Sequence, residues 1–292
     1  MKILVFGASG QDGWYLKQLG REQGIQVIGI SRSSGSTECG SVVDYEFVEA
    51  CIKYYKPQYI FHFAADSATK HQSLFVNHEA ISTGTLNILE SVRCHASFAK
   101  VFLSGSAVQF LNTGVPINES TPFAATSPYA AARIYMTYLG RYFRDSFGLQ
   151  IYTGFLFNHD SPLRTERHVN QKIASAARRI AAGSKERLVL GNIAVQKEFN
   201  FAGDIVEAVW QLVNQDKLFE AVIGSGEAHP IVEWVDYCFQ AKGLNWKDHV
   251  DLDEHFEPEY TRLISDPKVL FSLGWRPKTS FYDLAALMLA GG

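Results

Sequence analysis

The N-terminal segment restricts the fold of this chain more than any other part of it. The apolar run "KILVF" at positions 2–6 has the composition of a buried strand, and "GASGQDG" follows it directly, with Gly7, Gly10 and Gly13 spaced three residues apart. An apolar strand, a tight glycine turn and then a helix is the order in which a parallel α/β fold presents a helix N-terminus to a phosphate group. We therefore interpret this segment as the start of a dinucleotide-binding domain.

The rest of the chain continues the alternation of strands and helices. The apolar runs "QVIGIS", "YIFHFA", "KVFLSG" and "QIYTGFLF" are separated by segments of helical period, and from about Asn158 helical segments such as "QKIASAARRIAAG" dominate. We predict an α/β fold with a Rossmann-type doubly wound parallel sheet and a smaller, mostly helical C-terminal substrate lobe. The Rossmann domain is predicted to comprise residues 1–157, with about 196–225 returning to it, and the lobe residues 158–195 and 226–292.

Composition narrows the classes of ligand and partner. The formal net charge is -3 over 292 residues, so there is no electrostatic reason to expect nucleic acid or an anionic membrane as a partner. Cys39, Cys51, Cys94 and Cys238 are scattered without a CxxC or Cys/His grouping, and we therefore predict neither a metal site nor disulfides. The first strand begins without a preceding signal-like segment, and we expect a cytoplasmic protein with a small-molecule ligand.

The end of the second strand indicates which dinucleotide is bound. An acidic residue at this place accepts hydrogen bonds from a ribose 2′-hydroxyl, whereas arginine pairs with a 2′-phosphate. The chain reads "GISRSSGS", with Arg32 between Ser31 and Ser33. This favours NADP(H) over NAD, and the alternative is that Arg32 is only a solvated loop residue.

Two later segments contain candidate catalytic residues. Ser106 lies in "SGSAVQF" at the end of a strand, and Tyr129 and Arg133 lie one helical turn apart in "SPYAAARIY", which Pro128 starts. Ligands of doubly wound folds bind at the carboxyl ends of the strands, so Ser106 and Tyr129 are expected to face each other. We predict that the serine orients a carbonyl or alcohol oxygen, that the tyrosine transfers the proton, and that the arginine favours the ionised phenol. The alternative is a helix-start aromatic residue followed by a solvated charge.

Several further segments, distributed over nearly the whole chain, are distinctive: "GASGQDGWYL", "FHFAADS", "SPYAAARIY", "LFNHDSP", "LGNIAVQKEFNFAGDIVEA", "VIGSGEAH" and "SDPKVLFSLGWRPKTSF". In these segments the chain resembles the GDP-mannose 4,6-dehydratase family of extended short-chain dehydrogenases/reductases. The resemblance implies a Rossmann fold with a nucleotide-sugar lobe. It also implies chemistry in which hydride leaves C4 of the sugar, water is eliminated across C5 and C6, and the hydride returns at C6.

The resemblance implies roles for residues at matching positions. Ser106, Tyr129 and Arg133 stand where the family has its Ser/Thr, its tyrosine base and a lysine. The predicted cofactor-binding residues are Gly7, Gly10, Gln11, Asp12, Gly13, Arg32, Ser33, Ala64, Ala65, Ser67, Tyr129, Arg133, His159 and Arg164. The predicted substrate-binding residues are Ser106, Asn158, Lys172, Asn192, Lys197 and Arg262.

The chain departs from the family pattern at functional positions. Val108 replaces the glutamate that serves the elimination step, and an aliphatic side chain cannot remove the C5 proton. Glu257 replaces an arginine that helps to hold the diphosphate, with Arg262 nearby as a substitute. Arg133 cannot readily release a proton as lysine does. The loop after Arg32 is shorter than the loop that helps to build the tetramer in the dehydratases.

These residues lead to one main hypothesis and two alternatives. The main hypothesis is an NADP(H)-dependent reductase of a nucleotide-bound, preferably GDP-linked, 4-keto-6-deoxyhexose. One alternative is a GDP-mannose 4,6-dehydratase that uses Asp66 or Asp160 as its elimination base. The other is a non-catalytic protein that retains NADP and nucleotide-sugar binding. A homodimer formed through the helix of Tyr129 is expected, with a tetramer as the alternative.

Overall fold

The computed structural model describes residues 1–33 and 35–291. The strands are β1 (Lys2–Phe6), β2 (Gln26–Ser31), β3 (Glu38–Cys39), β4 (Tyr59–His62), β5 (Lys100–Ser106), β6 (Gln150–Leu156), β7 (His159–Asp160), β8 (Leu188–Leu190), β9 (Gln196–Glu198), β10 (Asn200–Phe201), β11 (Glu220–Ile223), β12 (Ala228–Pro230), β13 (Val250–Leu252) and β14 (Arg262–Leu263). The helices are α1 (Gln11–Glu22), α2 (Tyr45–Tyr55), α3 (Leu74–Asn77), α4 (Gly84–His95), α5 (Pro128–Phe147), α6 (Val169–Ala181), α7 (Ala202–Val213), α8 (Ile231–Gln240), α9 (Lys268–Ser272) and α10 (Phe281–Ala290), and a π-helical stretch at His78–Thr83 joins α3 to α4.

The main sheet is seven-stranded and parallel, with the order β3-β2-β1-β4-β5-β6-β11. The chain builds outward from β1 in one direction and then, through β4, in the other. This reversal leaves a crevice at the carboxyl ends of β1 and β4, where doubly wound folds bind their ligands. The predicted Rossmann-type fold is confirmed.

Strand β1 shows why the first apolar run is continuous. Leu4 and Phe6 pack on one face of the sheet with α2, α4 and α5, while Ile3 and Val5 pack on the opposite face with α1 and α7. Successive side chains of a strand point to opposite faces, and helices cover both faces of a parallel sheet. All four side chains are fully buried, so none of these four positions favours a polar residue.

The C-terminal lobe has its own core between α6, α8 and α10. Trp234 is fully buried there, and its indole nitrogen donates a hydrogen bond of 3.2 Å to the Asn170 carbonyl oxygen. Three small sheets, β7 with β10, β8 with β13, and β9 between β12 and β14, border this core. Leu270 of α9 and the following Trp275 pack in the separate core around α7, on the face of the main sheet that α1 also covers. No helix in the described part of the chain is long and apolar enough to span a lipid bilayer.

Candidate active site

The glycine loop between β1 and α1 is shaped by contacts that leave no room for a side chain. Gly7 has φ +89°, and a Cβ added to it would lie 2.6 Å from the backbone nitrogen of Ala64. A Cβ on Gly13 would lie 2.6 Å from the Gly7 carbonyl oxygen. Gly10 is the N-cap of α1 and provides no side-chain cap. The first N–H groups of α1 therefore remain available to an anion at the crevice.

A cavity of about 880 Å³ opens at the carboxyl ends of β1, β4, β5 and β6. Its volume is typical of a small-molecule site. Many residues predicted from the sequence lie on its wall. They are Gly7, Gly10, Gln11, Asp12, Gly13, Arg32, Ala65, Ser67, Ser106, Tyr129, Arg133, Asn158, His159, Arg164 and Lys197.

Three predicted substrate-binding residues lie outside this wall. Lys172 donates a hydrogen bond of 2.7 Å from Nζ to the carbonyl oxygen of Val189. Arg262 donates one of 3.1 Å from Nη1 to the carbonyl oxygen of Gly114. Asn192 is exposed in a turn that its own side chain stabilises. The structure does not bring these three side chains to the cavity.

Two predicted cofactor-binding residues also lie outside the wall. The backbone N–H of Ser33 donates a hydrogen bond of 3.2 Å to Oγ of Ser31, which shapes the turn that carries Arg32. Ala64 contributes its backbone, which packs against Gly7. The structure therefore places both residues next to residues of the cavity wall, and neither of them on the wall itself.

Asp12 and His159 form a partly buried ion pair at the glycine loop. Nε2 of His159 lies 3.0 Å from Oδ1 of Asp12, and Nδ1 lies 2.8 Å from the carbonyl oxygen of Phe157, so both ring nitrogens face acceptors. Burial disfavours the charged form of both groups, but the attraction between the two opposite charges outweighs this effect. The pKa of His159 is therefore raised by Asp12, and the pKa of Asp12 is lowered by His159 and Arg164. The pair ties the loop to the segment after β6, a role that sequence reasoning did not assign to Asp12.

Hydrogen bonds through Gln109 hold the backbone of Ser106, whereas the capped start of α5 holds Tyr129. The backbone N–H of Ser106 donates to Oε1 of Gln109 at 2.9 Å, and the amide nitrogen of Gln109 donates to Oγ1 of Thr137 on α5 at 3.1 Å. The end of β5 is therefore linked to the helix that carries Tyr129. That helix begins at Pro128, after an N-cap serine whose hydroxyl accepts a backbone hydrogen bond.

Arg133 points inward and is not the solvated charge of the alternative interpretation. Its side chain is only 4% exposed. Nη1 donates hydrogen bonds to the carbonyl oxygen of Ser104 and, at 2.9 Å, to Oγ of the same residue. The guanidinium carbon lies 4.9 Å from the centroid of the Tyr129 ring, within cation–π range. Arg133 thus connects β5 to the face of the tyrosine ring.

We expect Arg133→Lys to destabilise the protein and lower its turnover. Lysine has no planar group to lie on Tyr129, and it must replace charged hydrogen bonds at a buried site, which costs about 1 to 3 kcal/mol. Urea unfolding and steady-state kinetics measure the two effects. Arg93→Lys is the control, since Arg93 is exposed and pairs with Glu90, so that the change should cost less than about 0.5 kcal/mol. Equal stability with higher turnover in Arg133→Lys would show that the pocket is not adapted to arginine.

His62, at the end of β4, is fully buried beside this arginine. Burial and the Arg133 charge lower the pKa of His62 to about 3. A histidine in the unfolded chain takes up its proton near pH 6.5, whereas the folded protein resists protonation until far lower pH. Stability from this residue is therefore complete above about pH 6.5 and is lost as the pH falls toward 3, by at most about 1.4 kcal/mol per pH unit.

We expect His62→Gln to remove the loss of stability that His62 causes at low pH. Between pH 7 and pH 5 the free energy of unfolding of the variant should fall by about 2 kcal/mol less than that of the wild type. Urea unfolding at a series of pH values measures the difference. His71→Gln, at an exposed histidine, should leave the pH dependence as it is. Parallel curves for wild type and His62→Gln would contradict the prediction.

Val108 contributes an apolar surface to the cavity close to Ser106. It packs against a cluster that includes Phe157 and Leu263, and all three side chains line the cavity. No carboxylate is supplied by this position. Val108, Phe157 and Leu263 therefore form an apolar part of the cavity wall.

Acidic side chains reach the cavity from other positions, and each has a partner. Asp160 accepts a hydrogen bond of 2.6 Å from Nδ2 of Asn170 and lies 3.4 Å from Nε of Arg164. Asp66 accepts one of 3.1 Å from its own loop, from the N–H of Ala68. Glu259 accepts a hydrogen bond from the hydroxyl of Thr69, and Asp12 is paired with His159.

The chain is similar along nearly its whole length to known nucleotide-sugar enzymes. A family model described as GDP-mannose 4,6 dehydratase matches residues 4–288. GDP-mannose 4,6 dehydratase 1 of Arabidopsis thaliana is 34% identical over 98% of this chain and 88% of its own length. GDP-mannose 4,6-dehydratase of Sinorhizobium fredii is 31% identical over 98% of this chain and 95% of its own. The resemblance predicted from the motifs is confirmed.

Solved structures support the fold. A Thermus thermophilus UDP-glucose 4-epimerase in complex with NAD superposes with a TM-score of 0.85 and 22% identity, covering 99% of this chain and 98% of its own. RMD from Pseudomonas aeruginosa complexed with NADPH superposes with a TM-score of 0.87 and 18% identity, covering 99% and 97%. At this level of identity the likeness concerns the fold alone.

Proposed function

The chain belongs to the GDP-mannose 4,6-dehydratase family, and on this basis we propose that it is an NADP(H)-dependent reductase of a GDP-linked 4-keto-6-deoxyhexose. Enzymes of this family act on nucleotide sugars with NADP(H). The observation that carries the finer proposal is Val108. It presents an apolar surface beside Ser106 at the position where the family needs a glutamate for elimination.

The cavity fits the cofactor of this proposal. Gly7 and Gly13 leave the backbone bare where a diphosphate approaches, and Gly10 leaves the start of α1 uncapped. Arg32 is exposed at the cavity wall, where a guanidinium can pair with the 2′-phosphate of NADP(H). When bound, the cofactor supplies the hydride for reduction of the ketone.

The residues of the chain supply the rest of the acid/base chemistry. We infer that the Ser106 hydroxyl orients the C4 oxygen of the sugar and that the Tyr129 phenol delivers the proton which that oxygen needs when the ketone becomes an alcohol. The Arg133 charge above the phenol ring stabilises the phenolate left behind. Because the guanidinium is held by Ser104, it acts through position and not by passing on a proton.

The apolar wall also suits the proposed sugar. A 6-deoxyhexose carries a methyl group at C6, and Val108, Leu263 and Phe157 offer it an apolar surface. A hydroxymethyl group at the same place loses hydrogen bonds to water without receiving others from these side chains. The wall therefore favours the 4-keto-6-deoxy sugar as the substrate.

The second candidate is a GDP-mannose 4,6-dehydratase. The curated relatives have this name, and Asp66 and Asp160 line the cavity as carboxylates that could replace the missing glutamate. Asp160 already interacts with Asn170 and Arg164. Among the residues that the structure describes, Asp66 accepts a hydrogen bond only from the backbone of its own loop. Asp66 is consequently the better candidate for this role.

One assay separates these functions from a non-catalytic binding protein. The enzyme is incubated with NADPH and a GDP-linked 4-keto-6-deoxyhexose, and in parallel with NADP and GDP-mannose. Consumption of NADPH only with the keto sugar supports the reductase. Formation of a keto sugar from GDP-mannose overturns it in favour of the dehydratase. Tight NADPH binding without turnover of either sugar overturns both the reductase and the dehydratase hypotheses.

We also propose that the protein acts as a homodimer formed through α5. The outer face of this helix leaves Tyr135, Tyr138 and Tyr142 between 46% and 56% exposed. Aromatic side chains so exposed on one helix are typical of an interface. Light scattering measures the mass, and a tetramer is the alternative outcome.

A further inference from the structure

A buried amide lies between the end of β5 and helix α5, behind the cavity wall. Gln109 ends the short 3₁₀ turn Ala107–Gln109 that follows β5, and it is fully buried. Its side-chain Oε1 accepts a hydrogen bond of 2.9 Å from the backbone N–H of Ser106, and its Nε2 donates one of 3.1 Å to Oγ1 of Thr137 on α5. Val108, the residue before it, lines the cavity, whereas Gln109 does not. Gln109 therefore contacts the end of β5 from the protein interior.

Thr137 determines which way this amide is oriented. The threonine is fully buried, and its hydroxyl donates a hydrogen bond of 2.9 Å to the carbonyl oxygen of Arg133, one helical turn earlier. Because a hydroxyl has a single proton, only its lone pairs remain for Gln109, and the amide nitrogen must face Thr137. The amide oxygen then faces the N–H of Ser106. The reversed amide would have no suitable partner at either end, which is costly at a buried position.

The hydrogen bond to Thr137 ends on the helix face that carries the predicted catalytic residues. Tyr129, Arg133 and Thr137 follow at intervals of four residues and therefore lie along one face of α5. Arg133 already connects this face to β5 through Ser104. The Gln109–Thr137 hydrogen bond is a second polar connection between the end of this strand and the helix. Two separate connections restrict the movement of α5 relative to β5 more than one does.

We propose that Gln109 is a positioning residue, which fixes the placement of Ser106 relative to Tyr129. These two residues come from different elements, so their separation depends on the contacts between β5 and α5. A displacement of about 1 Å between reacting groups lowers a rate by about 10²-fold. The role of Gln109 in proton transfer rests on the proposed function, whereas the connection between strand and helix does not depend on the substrate.

The kinetics of Gln109→Met and Thr137→Val test this inference. Each replacement is close in size to the native side chain and cannot form the Gln109–Thr137 hydrogen bond. The variants are assayed with whichever sugar the wild type turns over, the keto sugar with NADPH or GDP-mannose with NADP. We expect kcat to fall by about 10- to 100-fold in each variant, while KM for the sugar and the affinity for NADPH stay within about 3-fold of the wild type. The double variant should be no slower than the slower single variant, since both changes remove the same connection.

Two controls separate positioning from a loss of stability alone. Thr137→Ser retains the hydroxyl group and should keep kcat close to the wild-type value. Asn87→Leu removes another buried amide, which donates hydrogen bonds from α4 to the carbonyl oxygens of Val42 and Val43 and does not line the cavity. This variant should unfold at a lower urea concentration but keep the wild-type kcat.

A wild-type kcat in Gln109→Met would overturn the inference, and so would a double variant slowed by the product of the two single effects. A wild type that turns over only GDP-mannose would remove the proposed reductase and leave this test as it stands. If the wild type turns over neither sugar, amide hydrogen exchange decides. Exchange of the Ser106 N–H about 10-fold faster in both Gln109→Met and Thr137→Val would support the connection without the reductase. Unchanged exchange of Ser106 in Thr137→Val would overturn the inference.

Discussion

Tyr129→Phe is expected to lower turnover of the 4-keto sugar by about 10²- to 10⁴-fold, the usual contribution of a positioned general acid or base. The phenylalanine ring keeps the start of α5 and the surface on which Arg133 lies, 4.9 Å from the ring centroid. Only the hydroxyl is removed. The affinities for NADPH and GDP should therefore stay within about 3-fold of the wild type, since neither ligand depends on proton transfer.

Single-turnover kinetics with saturating NADPH measure this effect on the chemical step. Tyr54→Phe is the control, because Tyr54 lies on α2 and is 78% exposed. It should leave the rate unchanged. A rate in Tyr129→Phe close to that of the wild type would show that another group protonates the sugar oxygen. In that case a different residue of the cavity would have to be the general acid.

Gly7→Ala is expected to abolish NADPH binding and to destabilise the fold by more than about 3 kcal/mol, as severe steric substitutions at buried sites do. Two costs combine at this position. The backbone has φ +89°, which an alanine side chain disfavours by about 1 to 2 kcal/mol. The new Cβ would also lie 2.6 Å from the nitrogen of Ala64, so that the loop and the segment after β4 must separate.

Gly24→Ala separates these two costs. Gly24 has φ +67°, but no atom of residues 1–33 or 35–291 outside its immediate neighbours lies within 4 Å of its Cβ position. Its replacement should cost only about 1 kcal/mol and leave NADPH affinity intact. Urea unfolding and fluorescence titration with NADPH measure both variants. If Gly7→Ala bound NADPH as tightly as Gly24→Ala, the glycine loop would not be the diphosphate site.

Much of the candidate site follows from short-range patterns. The spacing of Gly7, Gly10 and Gly13 after an apolar strand predicts an open helix N-terminus. The four-residue spacing of Tyr129 and Arg133 predicts a shared helix face. The position of Ser106 at a strand end predicts that it meets Tyr129 at one edge of a parallel sheet. All these residues line the same cavity, because the carboxyl ends of parallel strands converge there.

Other features of the site depend on contacts between distant residues. Asp12 and His159 are 147 positions apart in the chain, and no local sequence pattern predicts that their side chains form an ion pair. Lys197 lines the cavity because β9, which carries it, pairs with β12 and β14. The Lys172 ammonium group instead donates a hydrogen bond to the carbonyl oxygen of Val189. A match to the sequence motif of a family fixes the place of a residue in the chain. It does not fix which atoms a long, flexible side chain contacts in the folded protein.

The local sequence therefore accounts for the parallel sheet, the glycine loop and the placement of Ser106 and Tyr129, since these follow from backbone periodicity and the geometry of strand ends. The burial of Arg133 against Ser104, the Asp12–His159 pair and the position of Lys197 on the cavity wall depend on the packing of separate elements. The energy of a charge is set by its neighbours and its exposure to water, and both are properties of the assembled fold.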